Sequence, residues 1–162
     1  MFHFIPSSWR FVLVLPACLS FSLFAEEASG SGSSSQNTAK PGQEFPLSVL
    51  QAASSASQSW LGLLDRNRYG ESWDKASSWT KLTIRKDEWV ALLEKTRRPF
   101  GGVISREVLD ERTAIDPPGM PRGNYIVMFY KTVFSHKTGH ELVTLYLEDG
   151  KWAVLTYQVD SV

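Results

Sequence analysis

The hydrophobic pattern of this chain changes period once, at Arg97-Arg98-Pro99-Phe100-Gly101-Gly102. Before that run apolar residues recur three and four apart. After it they alternate. The first spacing is that of a helix face and the second that of a strand, so the chain must fold as a helical half followed by a sheet-forming half. Over 46–65, Leu50, Ala53, Ser57, Trp60, Leu61 and Leu64 share one helical face, and Asp65-Arg66-Asn67-Arg68 ends it, since Asn tolerates the left-handed conformation that closes a helix. Tyr69, Trp73 and Ala76 mark a second, short helix. Trp79-Thr80-Lys81 leads on to a cap at Thr83 or nearer Lys86, and a third helix over about 86–96 carries Trp89, Leu92 and Leu93 on one side. Trp60, Tyr69, Trp73, Trp79 and Trp89 act as packing anchors, because large aromatics bury much apolar area and fix geometry.

Beyond Gly102 the pattern predicts four strands. Over 102–112, Ile104, Arg106 and Val108 alternate with Val103, Ser105 and Glu107. Residues 125–134 are apolar on both faces, as in a central strand. Residues 140–147 and 152–159 complete a meander, with a turn over 135–139 and a tight hairpin at Asp149-Gly150. Residues 115–124 contain Pro117-Pro118-Gly119-Met120-Pro121 and must form a loop. The expected class is α+β, with about three N-terminal helices packed on a curved four-stranded antiparallel sheet.

The N-terminus reads as an export signal. Arg10 supplies a positive start, 11–24 is almost wholly apolar, and Ala25 precedes Glu26-Glu27. The apolar run falls short of the ~20 residues that a membrane span requires. A cut after Ala25 therefore leaves a chain with no membrane span. Leu15-Pro16-Ala17-Cys18 gives a second reading, a lipobox with Cys18 as the lipidated N-terminus. Pro16 and the apolar run after Cys18 count against it. Cleavage after Ala25 removes the one Cys of the chain, and with it any disulfide or thiolate metal site. Residues 26–46, rich in Ser and Gly, have almost nothing apolar to bury and read as a flexible linker. The organisation expected is thus a signal peptide over 1–25, a linker over 26–46 and a single domain over 47–162.

Lys plus Arg equals Asp plus Glu at 17 each. No positive field is available to attract a phosphate backbone, which argues against nucleic acid as a partner. No nucleophile elbow surrounds Ser72, Ser105 or Thr144, and no phosphate loop or dinucleotide fingerprint occurs. His136 and His140 flank a turn with Glu141 beside them. They lack the helical spacing that makes two His four apart a metal pair, so neither metal nor cofactor is expected. The remaining candidates are carboxylates and arginines. Asp65, Asp74 or Glu141 could serve as an acid or base if one lay desolvated in a pocket, and Arg97 could hold a carboxylate in a bidentate pair. The structural alternatives for these groups are a salt bridge between elements and, for Asp65, a turn or cap at a helix end. Pro118 and Met120, on a rigid apolar loop, and Tyr125 beside it are candidate binding residues.

Taken together, Trp60-Leu61, Leu64-Asp65, Tyr69, Ser72-Trp73, Ala76, Trp89, Arg97, Pro99-Phe100-Gly101, Ser105-Arg106, Pro118-Gly119-Met120-Pro121, Gly123, Tyr125, Phe134, Glu141, Val143, Gly150 and Trp152 resemble the bacterial domain of unknown function 4019 family, over about 49–157. Asn67 stands where that family tends to have Gly, and Arg122 where an acidic residue is common. The resemblance implies an exported protein of unknown activity and carries no catalytic residues. Its order of elements also looks like the cone-shaped nuclear transport factor 2 and cystatin-like folds, an analogy that warrants no function.

The function expected from the sequence is an exported, periplasmic or secreted, non-catalytic module that binds an envelope protein or a small apolar ligand. The alternative is an isomerase or hydrolase that uses a pocket carboxylate. A filled core favours the first, and a closed cavity holding a carboxylate favours the second.

Overall fold

A computed structural model of the chain describes residues 45–162. The segment expected as a signal peptide, Cys18 and most of the expected linker lie outside the described residues. Among the described residues four helices precede the sheet: α1 (Leu47–Asp65), α2 (Tyr69–Asp74), α3 (Ser78–Thr83) and α4 (Lys86–Thr96). A single 3-10 turn, Arg98–Phe100, leads into the strands β1 (Val103–Ile115), β2 (Asn124–Phe134), β3 (Thr138–Glu148) and β4 (Lys151–Ser161). The strands form an antiparallel meander in the order β1-β2-β3-β4. The α+β class is as expected, with one helix more than the periodicity predicts.

The additional helix is α3, where the sequence reading placed a connector. Ser77 caps it, accepting from the Thr80 amide at 3.1 Å. The Thr80 hydroxyl in turn donates to the Leu155 carbonyl at 2.8 Å, and the Ser77 amide donates to the Val154 carbonyl at 2.8 Å. Polar bonds to the sheet edge hold this helix, while its Leu82 is 82% exposed. A helix without an apolar stripe leaves no periodic signal. α4 starts at Lys86, and the Glu88 carboxylate accepts from the Arg85 amide at 3.2 Å.

The strands also run longer than their alternation suggests. The register shifts between Val103 and Ser105 and again between Val108 and Asp110. Such bulges leave Ile104 and Leu109 as extra residues turned out to solvent, at 69% and 52% exposed. Ile104 therefore does not share a face with Arg106. Gly139 belongs to β3 rather than to the preceding turn. A Cβ there would stand 2.6 Å from the Asp160 carbonyl oxygen and 2.7 Å from the Phe100 ring, so the position is glycine because another strand and a ring approach it closely.

One face of the sheet packs on the helices. Ala53, Leu61 and Leu64 of α1 and Trp89 and Leu93 of α4 meet Ile126, Met128, Val143, Leu145 and Val154 in a continuous core. Trp60 and Trp89 anchor it with both ring and indole N–H, whereas Trp79, expected as a packing anchor, is 38% exposed because α3 turns it to solvent. Trp60 lies 6.2 Å from Trp89 and 5.5 Å from Tyr157, centroid to centroid. Its Nε1 donates to the Ser72 carbonyl at 2.8 Å, and Trp89 Nε1 donates to the Ser72 hydroxyl at 3.0 Å. Ser72 is thus a buried joint between helices, which accounts for its position without any nucleophilic role. The two edges of the sheet differ. At β4, Ala76 makes a parallel bridge to Val154. β1 carries the bulges and the charged residues Glu107, Asp110 and Arg112.

Candidate functional site

Four charged side chains from four elements converge on the helix-facing side of the sheet. Asp65 is the last residue of α1. Arg97 closes α4, where the following turn relies on Gly101 at φ 85°. Arg106 lies on β1 opposite Thr132 of β2, and Glu141 lies on β3 opposite Tyr130. Alternation places Arg106, Thr132 and Glu141 on the inner face.

Glu141 is fully buried and saturated with donors. Its Oε2 accepts from Arg106 Nε at 2.8 Å and from the Thr132 hydroxyl at 2.6 Å. Its Oε1 accepts from the Tyr157 hydroxyl at 2.6 Å, and Arg97 Nε stands 3.4 Å away. That last contact is an ion pair without an aligned hydrogen bond, since Arg97 Nε has no hydrogen-bond partner among the described residues. Asp65 takes Arg106 in a bidentate pair, with Nη2 to Oδ1 at 2.8 Å and Nη1 to Oδ2 at 2.9 Å. Its Oδ1 also accepts from Arg97 Nη2 at 2.9 Å. Arg97 donates from Nη1 to the Gly101 carbonyl at 3.3 Å, and its guanidinium lies 4.3 Å from the Phe134 ring centroid. The result is a closed, formally neutral ring of two guanidinium and two carboxylate groups. Arg97 is 2% exposed, and the ring reaches solvent where the side chains of Asp65 (25%) and Arg106 (14%) meet.

Burial and charge act together here. Burial opposes the positive charge of Arg106, but hydrogen bonds to Asp65 and the charge of Glu141 outweigh it and raise its pKa. Burial, then the negative charge of Glu141, pushes the Tyr157 hydroxyl well above its ordinary value of 10.0. Burial also raises Tyr130, whose hydroxyl donates to Ser57 at 2.8 Å, and pushes Tyr125 up to about 12. A phenol whose folded pKa exceeds its unfolded value holds its proton more tightly when folded. The stability it contributes is complete below pH 10, the unfolded value, and is lost as pH rises through the folded pKa. The protein is therefore expected to lose stability above about pH 10. The loss should be shallower in Tyr157→Phe, read from denaturant midpoints across an alkaline series. Equal slopes for the two proteins would show that Tyr157 does not titrate in this way.

Of the sequence-predicted residues, Asp65, Arg97 and Glu141 come together and Asp74 stands apart. Asp74 pairs with Lys86 at 2.7 Å on the surface. Pro118, Met120 and Tyr125 belong to a different region. The loop at 116–123 is closed by Asp116, whose carboxylate accepts from the Gly123 amide at 2.6 Å. The Tyr125 and Tyr146 hydroxyls donate to the Pro121 and Arg122 carbonyls at 2.6 and 3.2 Å. Pro118 is exposed, Met120 half-buried and Tyr125 buried. The histidines do not converge. His136 lies in the β2–β3 turn near the Pro99 carbonyl, and His140 pairs with Asp160 across β3 and β4. Among the described residues no group of three or more His, Cys, Asp or Glu could hold a metal. Arg106 completes the ring, Thr132 and Tyr157 donate to its Glu141, and all three escape a reading of single residues. The signal available for Glu141 was a charge ahead of the apolar run of β3, whereas Arg106, between Ser105 and Glu107 on a strand rich in charges, gave none.

A family model described as a protein of unknown function, DUF4019, matches residues 56–157, which is more than half of the chain. The chain belongs to the DUF4019 family. The match spans every member of the Asp65–Arg97–Arg106–Glu141 ring and the loop at 116–123. No curated protein and no solved structure matches the chain. Among the described residues of this DUF4019 domain, no helix is long and apolar enough to cross a membrane.

Proposed function

We propose that this DUF4019 domain is an exported, non-catalytic binding module that engages a protein partner in the cell envelope. The observation that carries the reading is the filled space between helices and sheet. The core side chains interlock there, and both carboxylates that face inward are occupied by guanidinium groups. A general base needs a lone pair free for the substrate proton, and each Glu141 oxygen already has two donors around it. The recess that α4 and β4 enclose, lined by Trp89, Leu93, Thr96, Tyr157 and Asp160, holds about 20 Å³. That is room for about one water, whereas small-molecule sites run to about 300 Å³ or more. The same observations weigh against the pocket-carboxylate enzyme and favour a protein over a small apolar ligand.

The loop at 116–123 suits such a partner. It presents Pro118 and part of Met120 on a backbone held by Asp116, Tyr125 and Tyr146, so little ordering entropy is lost on binding. Tyr125 is buried and supports this loop from behind, whereas Arg97 is buried in the charged ring, away from it. The protein, purified with tagged partners from envelope extract, is expected to capture a partner that Pro118→Ser with Met120→Glu releases. The mature N-terminus, read by mass spectrometry, is expected at Glu26. Capture unchanged by the loop variant, or an uncleaved N-terminus, would count against the reading.

A further inference from the structure

β4 is an edge strand whose outer side is covered over only part of its length. Ala76 bridges to Val154 in parallel, and the Ser77 amide and the Thr80 hydroxyl take up the Val154 and Leu155 carbonyls. The chain then turns away into α3. Beyond Leu155 the register with β3 runs from Thr156 opposite Thr144 to Ser161 opposite Gly139. The Val162 amide donates to the Thr138 carbonyl, so Val162 faces β3. By the alternation of an antiparallel ladder, Gln158 and Asp160 also bond to β3, whereas the N–H and C=O groups of Tyr157, Val159 and Ser161 point to the open side. Among the described residues these outward groups have no backbone partner.

A recess lies between this stretch and α4. Leu92, Leu93 and Thr96 line it from the helix, and Tyr157, Val159 and Asp160 line it from the strand. Its volume of about 20 Å³ suits the tip of one small apolar side chain. Leu92 and Val159 are half-buried there, so a side chain laid between them would finish their burial. Val159 and Asp160 are neighbours and project to opposite faces of the strand. On the Asp160 side the charge is negative. Burial raises the pKa of Asp160, and among the described residues only the charge of His140, opposite it on β3, offsets this. A cation set beside that carboxylate would relieve the cost of its burial.

We infer that the open stretch of β4 takes an extended segment of a partner protein as a further strand, with small apolar side chains against α4 and a Lys or Arg beside Asp160. Alternate outward N–H and C=O groups are met in register by an extended backbone. An edge strand beside a groove binds peptides in this way, main-chain bonds giving affinity and side-chain pockets specificity. The fold already uses this edge so at Ala76, where one residue of the chain pairs with Val154. Ala76 and Ser77 confine an incoming segment to the stretch beyond Leu155. A second copy would bring its own Asp160 to the same short stretch, and like charges oppose that pairing. No residue of the loop at 116–123 takes part, so this surface and the loop-borne contact proposed above can fail separately.

A blocked peptide, Thr-Val-Lys-Val-Thr, titrated to millimolar concentration into isotope-labelled protein, is the probe. In the free protein the amides of Val159 and Ser161 are expected to exchange with solvent about tenfold or more faster than those of Gln158 and Asp160. The peptide should shift their NMR signals and slow their exchange. Val159→Pro removes an outward N–H without touching a bond to β3. It should keep the circular dichroism of the parent and weaken the peptide by about tenfold, the worth of one hydrogen bond. Leu92→Glu, on α4, should weaken it too, which guards against misfolding of the Pro variant. Asp160→Asn should weaken this peptide but not one with Gln in place of Lys. Pro118→Ser with Met120→Glu should bind it like the parent. Slow exchange of Val159 and Ser161 in the free protein would overturn the inference. So would a peptide that leaves the signals of 157–161 unmoved, or one that binds a folded Val159→Pro as it binds the parent. Protection of this edge that grows with protein concentration alone would assign it to a second copy and overturn the inference as well.

Discussion

Glu141→Gln is expected to lower the free energy of unfolding by about 3–5 kcal/mol, the usual cost of leaving a buried charge without its partner. The reason lies in Arg97, which is 2% exposed and has, among the described residues, only Glu141 and Asp65 as counter-charges. With Glu141 neutral, Asp65 alone would face two guanidinium groups. The amide would also set an N–H₂ group against one of the donors now satisfied, Tyr157 on one side or Thr132 and Arg106 on the other. Asp65→Asn should cost less, because its carboxylate is a quarter exposed and water can reach the gap. Urea denaturation followed by circular dichroism measures both. A cycle with Glu141→Leu, Arg97→Met and their combination separates pairing from burial, and the double variant is expected to recover most of the loss. A Glu141→Gln loss below about 1 kcal/mol would show that the ring behaves like an exposed ion pair.

Trp60→Ala is expected to cost a similar amount, about 3–5 kcal/mol. The indole fills the centre of the core between Trp89 and Tyr157, and its N–H satisfies the Ser72 carbonyl. Trp60→Phe keeps much of the volume and loses the hydrogen bond. Its cost should fall to about 1–3 kcal/mol, that of a buried carbonyl left unpaired. Melting temperatures of the two variants give the comparison. If Trp60→Phe proved as damaging as Trp60→Ala, ring packing would be the smaller contribution.

Much of this architecture can be read from the sequence. α1 is legible because one apolar face repeats over its length and Asn67, at φ 57°, supplies the left-handed stop. The strands are legible because β-branched and aromatic residues cluster between Pro- and Gly-rich turns. α3 is not legible, because polar bonds to a distant strand hold it and those bonds have no local period. The bulges at Ile104 and Leu109 are equally hidden, since they depend on how β1 meets β2. The candidate site divides in the same way. Asp65 and Arg97 stand out as charges at helix ends. Arg106, Thr132 and Tyr157 acquire meaning only once the register of four strands brings them around Glu141.

The two sheet edges carry a consequence for how this chain can assemble. An open strand edge can recruit a further strand, which leaves a new open edge, and growth of that kind has no natural end. Here Ala76 occupies the β4 edge, and bulges and charges disrupt β1. Each edge thus has its own obstacle to such growth. The short segment that fastens α3 to β4, Ala76-Ser77, also stands where a further strand along the whole of β4 would begin to pair.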